Sequence, residues 1–201
     1  MRVMVVGATG TIGRAVVSKL SARHEIIKVG HTSGDYRVDI ASADSLHKLY
    51  EAIGPVDAVV SASGVAKFAD LDRLIDEDFQ LSLSNKLMGQ VNLVRLGIRH
   101  VRDRGSFTVT SGLLGREPMR GSAAISLVNA GLDGFVRAAA LELPRGIRIN
   151  AVSPVWVTET LNAMGMDTSH GMPAEQVAWT YVESVEGKRS GEILDTRSFA
   201  K

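Results

Sequence analysis

Short runs of almost wholly apolar residues alternate along this chain with stretches in which apolar residues return every three to four positions. Met1 to Val6 is such a run, and after a cluster of glycines Ile12, Ala15, Val16 and Leu20 recur at helical spacing, so a buried strand hands over to a helix with one core-facing side. Ile26 to Val29 and Tyr36 to Ile40 are predicted as further strands. Ser42 to Ile53 is predicted as a helix, capped by Ser42 and stopped by Gly54-Pro55. Val56 to Ala62 is the next strand, and a long helical pattern from about Glu77 to His100 carries Leu87, Val91, Val94 and Ile98 on one face. Gly105 ends a turn, Ser106 to Thr110 is strand-like, and Ile125, Val128, Leu132, Phe135, Val136, Ala139 and Leu143 trace one helical face closed by Pro144. Ile147 to Val152 is a strand, Pro154 to Met172 is irregular, Pro173 to Glu186 is helical, and Gly191 to Thr196 supplies a last short strand. Apolar strands separated by helices belong to sheets covered on both faces, and crossovers between parallel strands are right-handed. The expected fold is therefore α/β: a Rossmann-type, doubly wound parallel sheet of about seven strands with helices on both faces. Residues 1–201 are expected to form a single domain.

Composition removes several classes of function. Lys and Arg number 23 against 22 Asp and Glu, for a formal charge of +1, and no basic run offers a patch to a polyanion, so nucleic acid is not an expected partner. The absence of cysteine excludes disulfides, thiolate metal sites and cysteine nucleophiles, and fits a reducing, cytoplasmic setting. The longest uncharged stretch, Gly121 to Leu132, is shorter than the roughly 20 residues of a membrane span. The apolar run after Met1 is too short for a signal-peptide core of about 7–15 residues. No membrane association is expected. His24, His31, His47, His100 and His170 are scattered without ligand spacing, so no metal site is expected either.

The candidate chemistry begins in the turn between the first strand and the first helix, Gly7-Ala8-Thr9-Gly10-Thr11-Ile12-Gly13. Glycines at this place let the backbone approach a pyrophosphate while the amides and dipole of the following helix attract its charge. Small residues also serve close helix–strand packing, so the turn alone leaves both roles open. At the end of the second strand, His31, Thr32 and Ser33 stand where an acidic residue usually accepts the ribose hydroxyls of NAD. An imidazole and two hydroxyls suit a 2′-phosphate instead, which favours NADP. NAD stays open through Asp35.

With these motifs the chain resembles the short-chain dehydrogenase/reductase family. Asp39-Ile40 resembles the family's acidic motif at the adenine ring, and Ser61-Ala62-Ser63-Gly64 stands where the family has Asn-Asn-Ala-Gly. Asn85 holds the place of the family's active-site asparagine. Ala130-Gly131-Leu132 and Ala140-Leu141-Glu142 resemble the helix after the reactive lysine, and Arg148 to Pro154 resembles the entry to the substrate loop. Pro154 and Val157 fall where the family contacts the nicotinamide. The resemblance implies an oxidoreductase acting on a small carbonyl compound or alcohol of unknown identity, and assembly as a homodimer or homotetramer through paired long helices.

The same comparison exposes a departure. The family's reactive serine, tyrosine and lysine correspond here to Gly112, Ile125 and Asn129, and no tyrosine lies between Tyr50 and Tyr181. Isoleucine donates no proton, and general acid–base catalysis is worth roughly 10²–10⁴-fold in rate, or about 3–5 kcal/mol of barrier. Asn85, Ser111 and Asn129 are the candidate catalytic residues. Asn129 retains hydrogen-bonding capacity without charge, while Ser111 and Ser126 offer hydroxyls that are poor acids with no base or cation nearby. Tyr181 is a further candidate for the missing acid, against a packing role. Two functions follow: an NADP(H)-linked oxidoreductase with a non-standard proton donor, or an NADP(H)-binding sensor or interaction protein without turnover.

Overall fold

A computed structural model describes residues 1–200. All seven strands lie in one parallel sheet, ordered β3-β2-β1-β4-β5-β6-β7. They are β1 (Arg2–Val6), β2 (Glu25–Gly30), β3 (Tyr36–Arg37), β4 (Val56–Ser61), β5 (Val101–Thr110), β6 (Arg148–Ser153) and β7 (Ile193–Asp195). The helices are α1 (Thr11–Ser21), α2 (Ala43–Ile53), α3 (Asp76–Leu81), α4 (Gly89–Gly97), α5 (Ala123–Glu142), α6 (Thr158–Ala163) and α7 (Ala174–Glu186). Strand side chains alternate between two cores, as the period of two requires. Val3 and Val5 of β1, with Ala58 and Val60 of β4, meet Val16 and Leu20 of α1 and Val177 and Tyr181 of α7. Met4, Val6 and Val59 point the other way, onto Leu46, Leu49 and Tyr50 of α2, Leu93 of α4 and Val136 of α5. The strand order reverses direction between β1 and β4, which opens a crevice at their carboxyl ends, where such sheets bind ligands.

Four elements differ from the sequence reading. The third strand stops at Arg37 because the Asp39 carboxylate folds back to accept the Ala41 amide at 3.0 Å. The long helix predicted from Glu77 divides into α3, a wide π segment over Ser82–Met88, and α4. β5 starts at Val101 rather than Ser106: Val56 pairs with Val101 and Ala58 with Ser106, so the stretch holding Gly105 bulges within the strand, with Arg104 at φ 61°. The region after Pro154 holds the short helix α6 and a bridge between Val157 and Met172.

The cap on α2 forms as expected, Ser42 Oγ accepting from the Ser45 amide at 3.2 Å. α5, with 20 residues and a mean hydropathy of 1.3 over its most apolar window, has the length and composition of a spanning helix, which the uncharged-stretch argument passed over. In the fold it lies against the sheet with Leu132 and Val136 in the core and Asp133 buried beside them, the placement of a core helix.

Candidate active site

The glycine turn is built by close backbone approaches. Gly7 sits at φ +84° with its amide on the Val29 carbonyl at 2.9 Å, and the Ala8 amide shares that carbonyl at 3.1 Å. Gly13 lies so near that a Cβ there would fall 1.9 Å from the Gly7 oxygen. Gly10 begins α1 without a side-chain cap, which leaves the first-turn amides of Thr11, Ile12 and Gly13 to an outside acceptor. This is a cradle that any larger side chain would fill, and its donor set fits a diphosphate.

A cleft of about 480 Å³ runs from this turn along the carboxyl edge of the sheet, lined by Gly7, Thr9, Gly10, His31, Asp39 and Asn85 among others. Ile40, Ala62, Ser63 and Gly64 complete its wall, so most of the predicted cofactor residues are brought together. Thr32 and Ser33 instead line an adjoining hollow of about 550 Å³, shared with Thr9, Arg14 and Lys28. Two cations there, which the sequence reading missed, give an anion subsite more charge than His31 and two hydroxyls supply. Their signals were Arg14, which directly follows the last glycine, and Lys28, a cation set between Ile27 and Val29. Asp35 is exposed and accepts the Lys28 amide through one carboxylate oxygen at 2.9 Å.

The loop after β4 is tied to the π segment. Asn85 Oδ1 accepts the Val65 amide at 2.7 Å, and Ser82 Oγ accepts the Lys67 amide at 3.0 Å. Ser61 is fully buried, its hydroxyl 3.1 Å from that of Ser63. Gly64 has φ +127°, and a Cβ there would stand 3.0 Å from Lys86 Cγ. Lys86 is thereby folded inside, 8% exposed, and burial pulls its pKa down to about 8. The sequence reading assigned it no role.

At the end of β5, Ser111 is buried and is not isolated from ionisable groups as expected. The Asp133 carboxyl lies beside it, pushed upward by burial against the opposing pull of the Ser111 hydroxyl and of Arg137 and Arg116. Asp133 Oδ1 and Asn129 Oδ1 are both sealed without a hydrogen-bond partner. Gly112 is where it is because a Cβ would meet Asn129 Nδ2 at 2.7 Å. The other hydroxyl candidates are committed elsewhere. Ser126 donates to Ser122 at 2.9 Å, and Tyr181, fully buried, bonds Thr110 Oγ1 at 2.6 Å with its own pKa raised by burial. Tyr181 is thus a core residue, not an acid at the cleft. Pro154 and Val157 fall outside the cleft wall: the Pro154 carbonyl accepts the Leu113 amide at 2.9 Å, and Val157 packs among Val5, Val60 and Val152.

Comparison with known proteins agrees with this geometry. Residues 5–189 match a family model described as enoyl-(acyl carrier protein) reductase. A 3-oxoacyl-[acyl-carrier-protein] reductase of Rattus norvegicus is 29% identical over 162 residues, covering 78% of this chain and 65% of the rat protein's length. A short-chain dehydrogenase/reductase of Stachybotrys chlorohalonatus is 32% identical over 190 residues, covering 82% and 75% respectively. A Listeria innocua protein of known crystal structure superposes with a TM-score of 0.93 at 41% identity, over 97% of this chain and 98% of that one. A small-chain dehydrogenase solved in complex with NADPH, 24% identical, superposes with a TM-score of 0.87 over 97% and 95%.

Proposed function

Because the chain belongs to the short-chain dehydrogenase/reductase family, we propose that it is an NADP(H)-dependent oxidoreductase for a small carbonyl compound or alcohol, working through a non-standard proton donor. The observation that carries this reading is the glycine cradle at the uncapped start of α1, opening into one cleft that reaches Asn85. Gly7, Gly10 and the amides of Thr11, Ile12 and Gly13 would hold the pyrophosphate. Asp39 and Ile40 would flank the adenine. Arg14, Lys28, Thr32 and Ser33 would take the 2′-phosphate, a preference in keeping with the NADPH complex of a structural neighbour. Asn85 would fix the loop that faces the nicotinamide end. When bound, the nicotinamide supplies hydride chemistry.

Gly112, Ile125 and Asn129 in the reactive positions favour a second reading, an NADP(H)-binding sensor without turnover. Nicotinamide fluorescence titrations with NADPH and NADH, followed by absorbance assays over ketones, aldehydes and quinones, separate the two. Saturable binding with turnover supports the oxidoreductase, binding without turnover the sensor, and no saturable binding refutes both. Leu127, Leu141 and Met88 remain exposed on α5 and the π segment. They support the proposal that a second copy covers this face, which sedimentation velocity would test.

A further inference from the structure

We propose that Lys86 is the proton donor of this site, supplying from the π segment the acid that Ile125 and Asn129 do not. The proposal rests on the oxidoreductase reading above. Three placements set its stem against the cleft wall at Gly64. Gln90, one turn further on, grips both backbone groups of Thr110 at the end of β5 at 2.8 and 2.9 Å, and also donates to the Lys86 carbonyl. Lys86 therefore lies one turn nearer the carboxyl edge of the sheet. Its stem crosses Gly64, at the place where that glycine's missing side chain leaves room. Its neighbour Asn85 lines the cleft.

The ammonium itself is unspent. Among the described residues no hydrogen bond or ion pair reaches Lys86 Nζ, and it is not one of the polar atoms sealed from solvent. The ionisable groups on the elements packed around it are Asp39 beyond β3, Asp76, Glu77 and Asp78 on α3, Arg95 on α4, and Asp133, Arg137 and Glu142 on α5. Asp78 pairs with Lys67, and Asp133 answers to Ser111, Arg137 and Arg116. Burial alone sets the acidity of Lys86, close to the value a donor working near neutral pH needs. In the step assigned to it, the carbonyl carbon takes up hydride from NADPH, which is oxidised to NADP⁺. The C=O π pair moves to oxygen, and that oxygen takes one proton from Lys86 Nζ. Water then reprotonates the neutral amine. The reverse reaction runs the same transfers backwards.

A pulse of acetic anhydride on the whole protein, read at Lys86 by peptide mass spectrometry, tests the assignment without turnover. The expected labelling midpoint lies near about 8, against about 10.4 for an ordinary lysine, and saturating NADP⁺ should slow it at least about tenfold. An ordinary midpoint, or no protection by NADP⁺, overturns the proposal. Turnover supplies the second arm. Lys86→Met should lower kcat roughly 10²–10⁴-fold, with NADPH affinity held within about threefold. Lys86→Arg, which keeps the charge and cannot release a proton, should be as slow. Restored turnover in Lys86→Arg would reduce Lys86 to a positioning charge and refute the donor role. If NADPH does not bind wild type, the cofactor reading falls and takes this proposal with it. If NADPH binds and wild type or Lys86→Met turns over independently of the lysine, or wild type does not turn over at all, the donor assignment alone falls.

Discussion

A charged lysine folded into an apolar setting costs stability, and Lys86 offers a direct measurement of that cost. Its pKa falls from 10.5 in the unfolded chain to about 8 in the fold, and each unit corresponds to 1.36 kcal/mol, so holding the proton at pH 7 costs up to about 3 kcal/mol. Lys86→Met keeps the length of the stem and removes the charge. The sign follows from proton counting. Between pH 8 and 10.5 the unfolded chain binds a proton that the native protein has released, so wild-type stability rises with pH across this window. Below it the penalty is full, and above it none remains. The variant should thus be more stable than wild type at pH 7 by up to about 3 kcal/mol, equivalent to a Tm higher by roughly 6–12 °C for a chain of this size. The advantage should shrink to nothing by about pH 10.5. Urea unfolding monitored by circular dichroism at pH 7, 9 and 10.5 measures it. A variant less stable than wild type at pH 7, or a difference that does not change with pH, would refute the reasoning.

Other positions give sharp outcomes. Gly13→Ala would drive a methyl group to 1.9 Å from the Gly7 oxygen, so NADPH affinity should drop at least about tenfold and stability should fall by roughly 1–3 kcal/mol, read by fluorescence titration and thermal melts. Arg14→Gln should weaken NADPH more than NADH, since only the former carries the 2′-phosphate assigned to that hollow; equal losses for the two would argue against it. Asp195 is held down to about 2, chiefly by its hydrogen bond from Arg197, with Arg116 adding to it. The stability this contributes is present above the unfolded carboxyl pKa and is lost as pH falls from about 4 toward 2, so Asp195→Asn should flatten the acid limb of unfolding curves.

What the sequence made legible was local. Apolar runs such as Val3 to Val6 and Val56 to Val60 declare buried parallel strands because both faces are covered, and the glycine turn declares itself because its demand for small residues is met within seven consecutive positions. The misses depend on partners distant in the chain. Arg102 to Arg104 read as a turn, yet pairing with β4 draws them into a bulged strand. The anion hollow joins a residue of α1 to one of β2, and no spacing rule connects Arg14 with Lys28. Ser111 and Asp133 meet only once α5 lies across β5. Lys86 has the spacing of an exposed helix residue, and only the empty place at Gly64, 22 positions earlier, explains its burial.

The wide turn over Ser82–Met88 has a consequence for how this protein can vary. Such turns arise when a regular helix accommodates one surplus residue, and each residue of an α-helix advances the face by about 100°. Deleting a single residue between Asn85 and Gln90 would restore ordinary winding and yet swing the two out of phase, so that one could grip its backbone target only by releasing the other. Length at this point is therefore as constrained as side-chain identity, and a one-codon deletion there should be more damaging than most substitutions in the same stretch.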